Sequence, residues 1–255
     1  MLEAKNISFR IGERYLLHPT SVEFEKGKFH VIMGANGAGK STLLKILAAD
    51  QPPSSGTIHL NGEPLQYISK RMLATKRAVL SQHYHISFPI SAAEIVMMGR
   101  YPYFSNHPTA VDRSICTEAM ELLQVDEMKE RDYNTLSGGE AQKVQMSRVL
   151  AQIWEKKSEP FLFLDEPVSH LDIKFQHQLL LAAKDWCRTN TTVIAILHDI
   201  NLAIAFADRI LFMKQGAVTH DIATVNDITP SVIREVFDVE ASIIYPQQHK
   251  PVVIF

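Results

Sequence analysis

The sequence predicts an α/β fold: a core of buried strands, an antiparallel β layer beside it and an inserted helical block. Three observations carry this. An apolar run, Phe29 to Met33, feeds a glycine-rich loop, Gly34-Ala35-Asn36-Gly37-Ala38-Gly39-Lys40-Ser41, which opens a helix over Thr42 to Ala48. Two further continuous apolar runs, Phe161-Leu162-Phe163-Leu164 and Thr191 to Leu197, read as strands buried on both faces. Between them and the loop, from His83 to about Gln152, the hydrophobic period turns from strand-like to helical.

The 255 residues are expected to form one domain. Residues 1–82 and 155–221 make the core with its β layer, 83–154 the helical subdomain and 222–255 a C-terminal appendage. Charged residues are 21% of the chain and the formal net charge is −2, so no basic footprint for nucleic acid or an anionic lipid surface is present. Any membrane role is then expected to run through a partner. Cys116 and Cys187 stand isolated, in no metal or redox spacing, and read as packing residues of a reducing compartment. Met1-Leu2-Glu3-Ala4-Lys5 is not a basic lead-in to an apolar segment, and no run approaches the roughly 20 apolar residues that span a bilayer. The chain is expected to be neither exported nor inserted.

In chain order, Leu2 to Phe9 is a strand, Gly12-Glu13 a turn and Val22 to Phe24 a second strand, together the β layer. Tyr15 and Phe9 are candidates to stack on a purine ring, against ordinary strand packing. Gln51 to Gly56 is a turn, Thr57 to Leu60 a strand ending in the hairpin signal Asn61-Gly62, and Ser69 to Thr75 a short helix. Arg77 to Leu80 is a strand that ends at Ser81-Gln82. The helical block holds Ala92 to Met98, Val111 to Leu123 and Gly138 to Ile153, and its loop Arg100 to Pro108 carries aromatics that form a contact surface or close the edge of the subdomain. Arg209 to Met213 and Ala217 to His220 flank Gln215-Gly216 as a hairpin; a helix over Pro230 to Phe237 and strands at Ser242 to Tyr245 and Val252 to Phe255 complete the appendage.

The chemistry gathers at strand and helix ends. A strand, a glycine loop and a helix start point several N–H groups and the helix dipole at one spot, which suits a polyphosphate. Lys40 is expected to reach its β- and γ-phosphates and Ser41 to ligate Mg²⁺. Leu136-Ser137-Gly138-Gly139-Glu140 opens a second such helix. Ser137 and Glu140 read as a capping box, but two helix-weakening glycines, about 1 kcal/mol each, point to a ligand approaching the backbone. Asp165-Glu166 closes an apolar strand, Asp165 placed to hold Mg²⁺ and Glu166 to orient and polarise water attacking the γ-phosphate. Gln82 is placed at a strand end to sense Mg²⁺ or that water, and His198 to hydrogen-bond the γ-phosphate.

The ordered set Gly34 to Ser41 with Thr42, Gln82, Leu136 to Glu140, Asp165-Glu166, Ser169-His170-Leu171-Asp172 and His198 resembles the ATP-binding subunit of ABC (ATP-binding cassette) transporters over nearly the whole chain. The resemblance implies a P-loop NTPase (RecA-like) core binding ATP and Mg²⁺. It also implies a head-to-tail dimer with a second copy, in which Ser137, Gly138 and Gly139 of one copy cap ATP on the other's P-loop and Asp172 lies along the seam. The Gln82 loop and helical block, including Arg100 to Phe104, would receive transmembrane permease subunits, with a substrate-binding protein acting indirectly and no nucleic acid involved. The implied place is the cytoplasmic face of the cell membrane. Ile95 to Pro102, Ile228-Thr229-Pro230 through Val236-Phe237, and Ala141 to Trp154 are most similar to importers of iron chelates, vitamin B12 and above all haem. The sequence departs from the family at Ile11, where an adenine-stacking aromatic is usual, and at Val168 and His170. His83, Tyr84 and His85, considered as haem ligands, are set aside because such a subunit need not touch the cargo.

Overall fold

The computed structural model describes residues 1–255 except 83, 85, 156–158, 170 and 247–249. His83, His85 and His170 of the readings above therefore lie outside the described residues. The chain packs as two compact units, Met1–Ile68 with Thr192–Phe255, and Ser69–Thr191. The helical block 83–154 falls wholly in the second unit, which also takes in the strand that ends at Asp165.

Strand β1 (Leu2–Ile11) turns into β2 (Arg14–Phe24), and β3 (Phe29–Gly34) leads through the glycine loop to α1 (Lys40–Leu47). After β4 (Ser55–Leu60), β5 (Glu63–Pro64), α2 (Lys70–Lys76) and β6 (Arg77–Leu80) come the helices α3 (Ala92–Met98), α4 (Ala110–Leu122) and α5 (Gly138–Gln152). Then follow β7 (Phe161–Asp165), α6 (Ile173–Cys187), β8 (Thr192–Ile196), α7 (Ile200–Phe206), β9 (Arg209–Lys214), β10 (Ala217–Ile222), α8 (Pro230–Phe237), β11 (Ser242–Ile244) and β12 (Val252–Ile254). Two of these, α6 and α7, have no counterpart in the sequence reading. Both begin at an aspartate N-cap, Asp172 accepting from Phe175 N–H and Asp199 from Asn201 and Leu202 N–H.

In the first unit, β2, β1, β4 and β5 form the expected antiparallel layer. Strand β2 starts well before the apolar stretch at Val22, because its early residues alternate polar and exposed against β1 rather than reading as a hydrophobic run. Strand β3 runs parallel to β8 on one side and β9 on the other, and β10 returns antiparallel beside β9. Every residue of β3 and β8 is buried, as strands covered on both faces require. Leu43, Leu44, Ile46 and Leu47 of α1 are buried, and each such side chain stabilises the fold by roughly 1.5–3 kcal/mol. The C-terminal hairpin of β11 and β12 is held to α7 by Asn201, whose amide gives to Val253 O (3.0 Å) and takes from Val253 N–H (2.8 Å).

In the second unit β6 and β7 are parallel, Arg77 opposite Phe161 through Leu80 opposite Leu164. Helix α5 is its centre, packed on α3, α4, α6 and β6. Ser91, Thr109 and Ser137 each close a full capping box at the starts of α3, α4 and α5. The end of α3 meets α5 backbone to backbone: a Cβ at Gly99 would lie 2.2 Å from Arg148 O.

His30, on β3, is fully buried, with Nε2 against Glu25 O at 2.9 Å and its ring edge-on to Phe24. Burial pushes its pKa down from 6.5 to about 4. The unfolded chain therefore binds the extra proton first as pH falls, and stability is lost between pH 6.5 and pH 4 by on the order of 3 kcal/mol. His30→Phe is expected to remove most of that slope, measured as the difference in urea midpoint between pH 7 and pH 4.5. An unchanged slope would place the acid sensitivity elsewhere.

Candidate functional site

The first unit shapes one anion site by crowding its backbone. Gly34 (φ 151°) and Gly39 (φ 94°), the N-cap of α1, have no room for a side chain: a Cβ would stand 2.1 Å from Met213 O and 2.5 Å from Leu16 O respectively. Lys40 is 6% exposed, and its Nζ donates to Gly34 O (2.9 Å) and Ala35 O (3.0 Å), so the cation lies inside the turn. Ala38 is buried and accepts from Gly216 N–H (3.0 Å), whereas Ala35, Asn36 and Gly37 are exposed at the mouth. Ser41 and Thr42 are half-buried on the first turn of α1.

Because β3 and β8 are parallel neighbours, the residues just past β8 emerge at the same end of the sheet as this loop. That residue type is imidazole: His198 is exposed there, next to the helix-capping Asp199. Tyr15 is exposed one residue from Leu16, whose carbonyl borders Gly39, and its ring stacks on His18 with centroids 5.0 Å apart. Phe9, its rival, is half-buried in β1. The reading of the sequence missed His18, which a register shift in β1 against β2 brings onto Tyr15.

The second unit carries the carboxylates. Parallel pairing of β6 and β7 delivers Gln82 and Asp165-Glu166 to one edge, and Gln82 Nε2 donates to Glu166 Oε2 at 2.6 Å. Asp165 is buried and Glu166 half-buried. Glu166 holds a left-handed backbone (φ 51°), a conformation that costs a non-glycine residue on the order of 1 kcal/mol and recurs at working sites. Ser169 pins it, with Oγ donating to Glu166 O at 2.6 Å, and Gln142 of α5 donates to Pro167 O at 3.0 Å.

The second anion site is the start of α5. Ser137 Oγ accepts from Glu140 N–H, and Ser137 N–H gives to the Glu140 carboxylate at 2.7 Å, a bond that holds this carboxyl below its usual range. Here the glycines are not required by the chain: a Cβ on Gly138 would meet nothing within 4 Å, and one on Gly139 only Leu171 Cδ2 at 3.4 Å. Asp172, exposed, caps α6 in the same unit through Phe175 N–H (3.0 Å). Lys143 Nζ sits 3.4 Å over the Phe175 ring; burial lowers its pKa, and the Asp172 charge works against that shift.

Arg100 does not belong to an exposed contact surface. It is 1% exposed, its Nε on Asp112 at 3.0 Å, Nη1 on Ala151 O at 2.9 Å, Nη2 on Glu155 at 3.1 Å and its guanidinium 3.7 Å over the Tyr103 ring. These partners offset the cost of taking the guanidinium out of water. Tyr101 is exposed, Tyr103 and Phe104 are half-buried, and Tyr101 with Phe104, Met97 and Pro108 lines a cleft of about 490 Å³.

The donors on offer fit the expected ligands. A loop of N–H groups with a buried lysine suits phosphate oxygens, and Ser41, Gln82 and Asp165 are hard oxygen donors of the kind Mg²⁺ takes. Among the described residues no group of three or more His, Cys, Asp or Glu stands together.

The family model described as ABC transporter matches residues 17–169. The hemin import ATP-binding protein HmuV of Rhodopseudomonas palustris (strain HaA2) is 41% identical over 99% of this chain and 96% of its own. Among solved structures, a chain of an inward-facing transporter described as of the metal-chelate ABC type superposes with a TM-score of 0.81 at 24% identity, covering 99% of this chain and 96% of that one. The dimeric ATP-binding cassette MJ0796 with ADP and Pi superposes with a TM-score of 0.77 at 25% identity, covering 87% and 97%. The α/β fold with its P-loop NTPase core is thus the one expected.

Lys40→Ala is expected to abolish binding of a fluorescent ATP analogue, and wild-type affinity in that variant would refute the role. Gly39→Ala is expected to lower the melting temperature, whereas Gly138→Ala leaves it unchanged or higher, since only the first position lacks space.

Proposed function

Because the chain belongs to the ABC transporter family, we propose that its ATP hydrolysis energises a membrane importer whose cargo is haem or another iron chelate. The chain is an ATP-binding, ATP-hydrolysing subunit. In this reading Gly34 to Thr42 hold the triphosphate, with Lys40 on its β- and γ-phosphates. Ser41, Gln82 and Asp165 are ligands for Mg²⁺; Glu166 orients the attacking water, and His198 donates to the γ-phosphate. Tyr15, stacked on His18, is the platform for the adenine.

The observation that carries the assembly is the contrast between the two glycine-bearing helix starts. Gly34 and Gly39 are demanded by the chain's own backbone; Gly138 and Gly139 are not. Glycines at a capped helix start that the chain itself does not need are suited to a surface that comes from outside, and a second copy of the chain, presenting ATP on its own loop, supplies one. Ser137, Gly138 and Gly139 then cap the nucleotide across a head-to-tail dimer with Asp172 at the seam. The dimeric form of the MJ0796 cassette supports pairing of two copies.

Among the described residues no helix is long and apolar enough to cross a membrane, so transport calls for permease subunits. The cleft beside Tyr101 and Phe104 is the surface we assign to them, on the cytoplasmic face of the membrane, with a substrate-binding protein acting beyond. The name of the R. palustris relative supports haem as cargo. Ferric siderophore and vitamin B12 are the alternatives, and a nucleic-acid or ribosomal role finds no support in a net charge of −2.

Glu166→Gln is expected to keep ATP affinity, lose hydrolysis and accumulate a dimer by light scattering in saturating ATP-Mg; a monomer there counts against the shared site. The complex captured through a tagged chain and placed in liposomes is expected to take up hemin in preference to ferric siderophore or cobalamin. Uptake in the reverse order would reassign the cargo.

A further inference from the structure

The hydrogen bond from Gln82 to Glu166 stands at the end of a chain of contacts that the proposed mechanism does not use. Gln82 hangs just beyond β6, on a stalk begun by Ser81. The phenol of Tyr84 ties that stalk down: its Oη accepts from Ser81 N–H at 2.6 Å and donates to Val79 O at 3.1 Å. Arg148, from α5, adds a second tie. Its Nη2 gives to Tyr84 Oη at 2.8 Å and to Val79 O at 3.2 Å, with the guanidinium 5.1 Å from the Tyr84 ring centroid. Arg148 is itself held, Nε donating to Gln145 Oε1 at 2.8 Å, and the Gln145 amide gives to Tyr133 Oη at 3.1 Å. Gln145 and Tyr133 are buried, so neither partner is exchanged for bulk water, and losing either bond would strand a polar group. Tyr133 opens the short turn that leads to Leu136 and Ser137.

We propose that Tyr84 and Arg148 are positioning residues for ATP hydrolysis, a latch that holds the Gln82 amide against the Glu166 carboxylate and ties this contact to the segment ahead of Ser137. Neither side chain touches the reacting atoms. Their work is to fix a stalk that would otherwise sample many directions, so that Glu166 meets its water in one orientation. The inference rests on the reading of Glu166 as the residue that orients water.

Tyr84→Phe keeps the ring and removes one oxygen that makes three hydrogen bonds. It is expected to lower kcat by about tenfold, leaving KM for ATP and the binding of a fluorescent ATP analogue within about twofold. The decisive measurement is the cycle with Gln82→Ala. Once the amide is gone there is nothing left to position, so adding Tyr84→Phe to Gln82→Ala should change kcat by less than about twofold. Arg148→Lys, which keeps the charge but loses the fork, is expected to fall between wild type and Arg148→Gln, with thermal melts run on each to show that the fold holds. The latch is overturned if Tyr84→Phe leaves kcat unchanged, if the two losses multiply in the double variant, or if Gln82→Ala alone is silent. Hydrolysis retained in Glu166→Gln is a different failure, and it overturns the reading of the site itself.

Discussion

Space denied to a single carbon atom governs the first unit. At Gly34 and Gly39 the backbone of the loop passes so close to Met213 O and Leu16 O that no side chain fits. That proximity brings β3, β9 and the β layer together at the start of α1, where Ala38 N–H turns back to Ala35 O (3.2 Å) and Ala35, Asn36 and Gly37 stay exposed at the mouth. The buried Lys40 completes the arrangement by bonding two carbonyls of the loop, Gly34 O and Ala35 O. A phosphate arriving here meets donors already oriented, so little of its binding energy is spent on ordering the site. The parallel strands on either side serve the same end, since they bring His198 out at the same edge as the loop.

Much of this was legible in the residues because backbone-dominated features leave local marks. The glycine loop, the apolar runs of β3, β7 and β8, the helix beginning at Pro230 and the hairpin at Gln215-Gly216 each carry their own signal in composition or spacing. What escaped was set by tertiary partners. Helix α6 starts with an exposed Ile173 and mixed residues and buries its apolar face only later, at Leu179, Leu180, Ala183 and Trp186; α7 is a single short apolar stretch that reads equally as a strand. Strand β2 is half polar because one face of it is exposed. The loop after Arg100 read equally as a contact surface or as the closed edge of the subdomain, and for Arg100 itself the bond to Asp112 decides for the closed edge.

The site was legible in its parts and not in its wiring. Ser137 with Glu140 announces a capping box, and Asp165-Glu166 announces a strand end. Nothing in the sequence tells that Glu166 takes a left-handed backbone, that Ser169 holds its carbonyl, or that Tyr84 fastens the stalk of Gln82. The two hydrogen bonds span only three residues each, yet they follow no repeating pattern of residue types that a sequence displays. The sequence also cannot distinguish glycines kept for lack of room from glycines kept for a visitor, which the open space at Gly138 and the crowding at Gly39 separate at once.

The enclosed guanidinium of Arg100 has a consequence for how this chain could have varied over time. Four groups, Asp112, Glu155, Tyr103 and the Ala151 carbonyl, satisfy one buried charge, and removing a partner from such a cluster typically costs about 3–5 kcal/mol, a large part of a domain's whole stability. Lineages cannot trade these positions one at a time. Arg100, Tyr103 and Asp112 should be inherited together or replaced together, and a graft of the 100–112 loop from a distant relative should succeed only when it brings the trio intact.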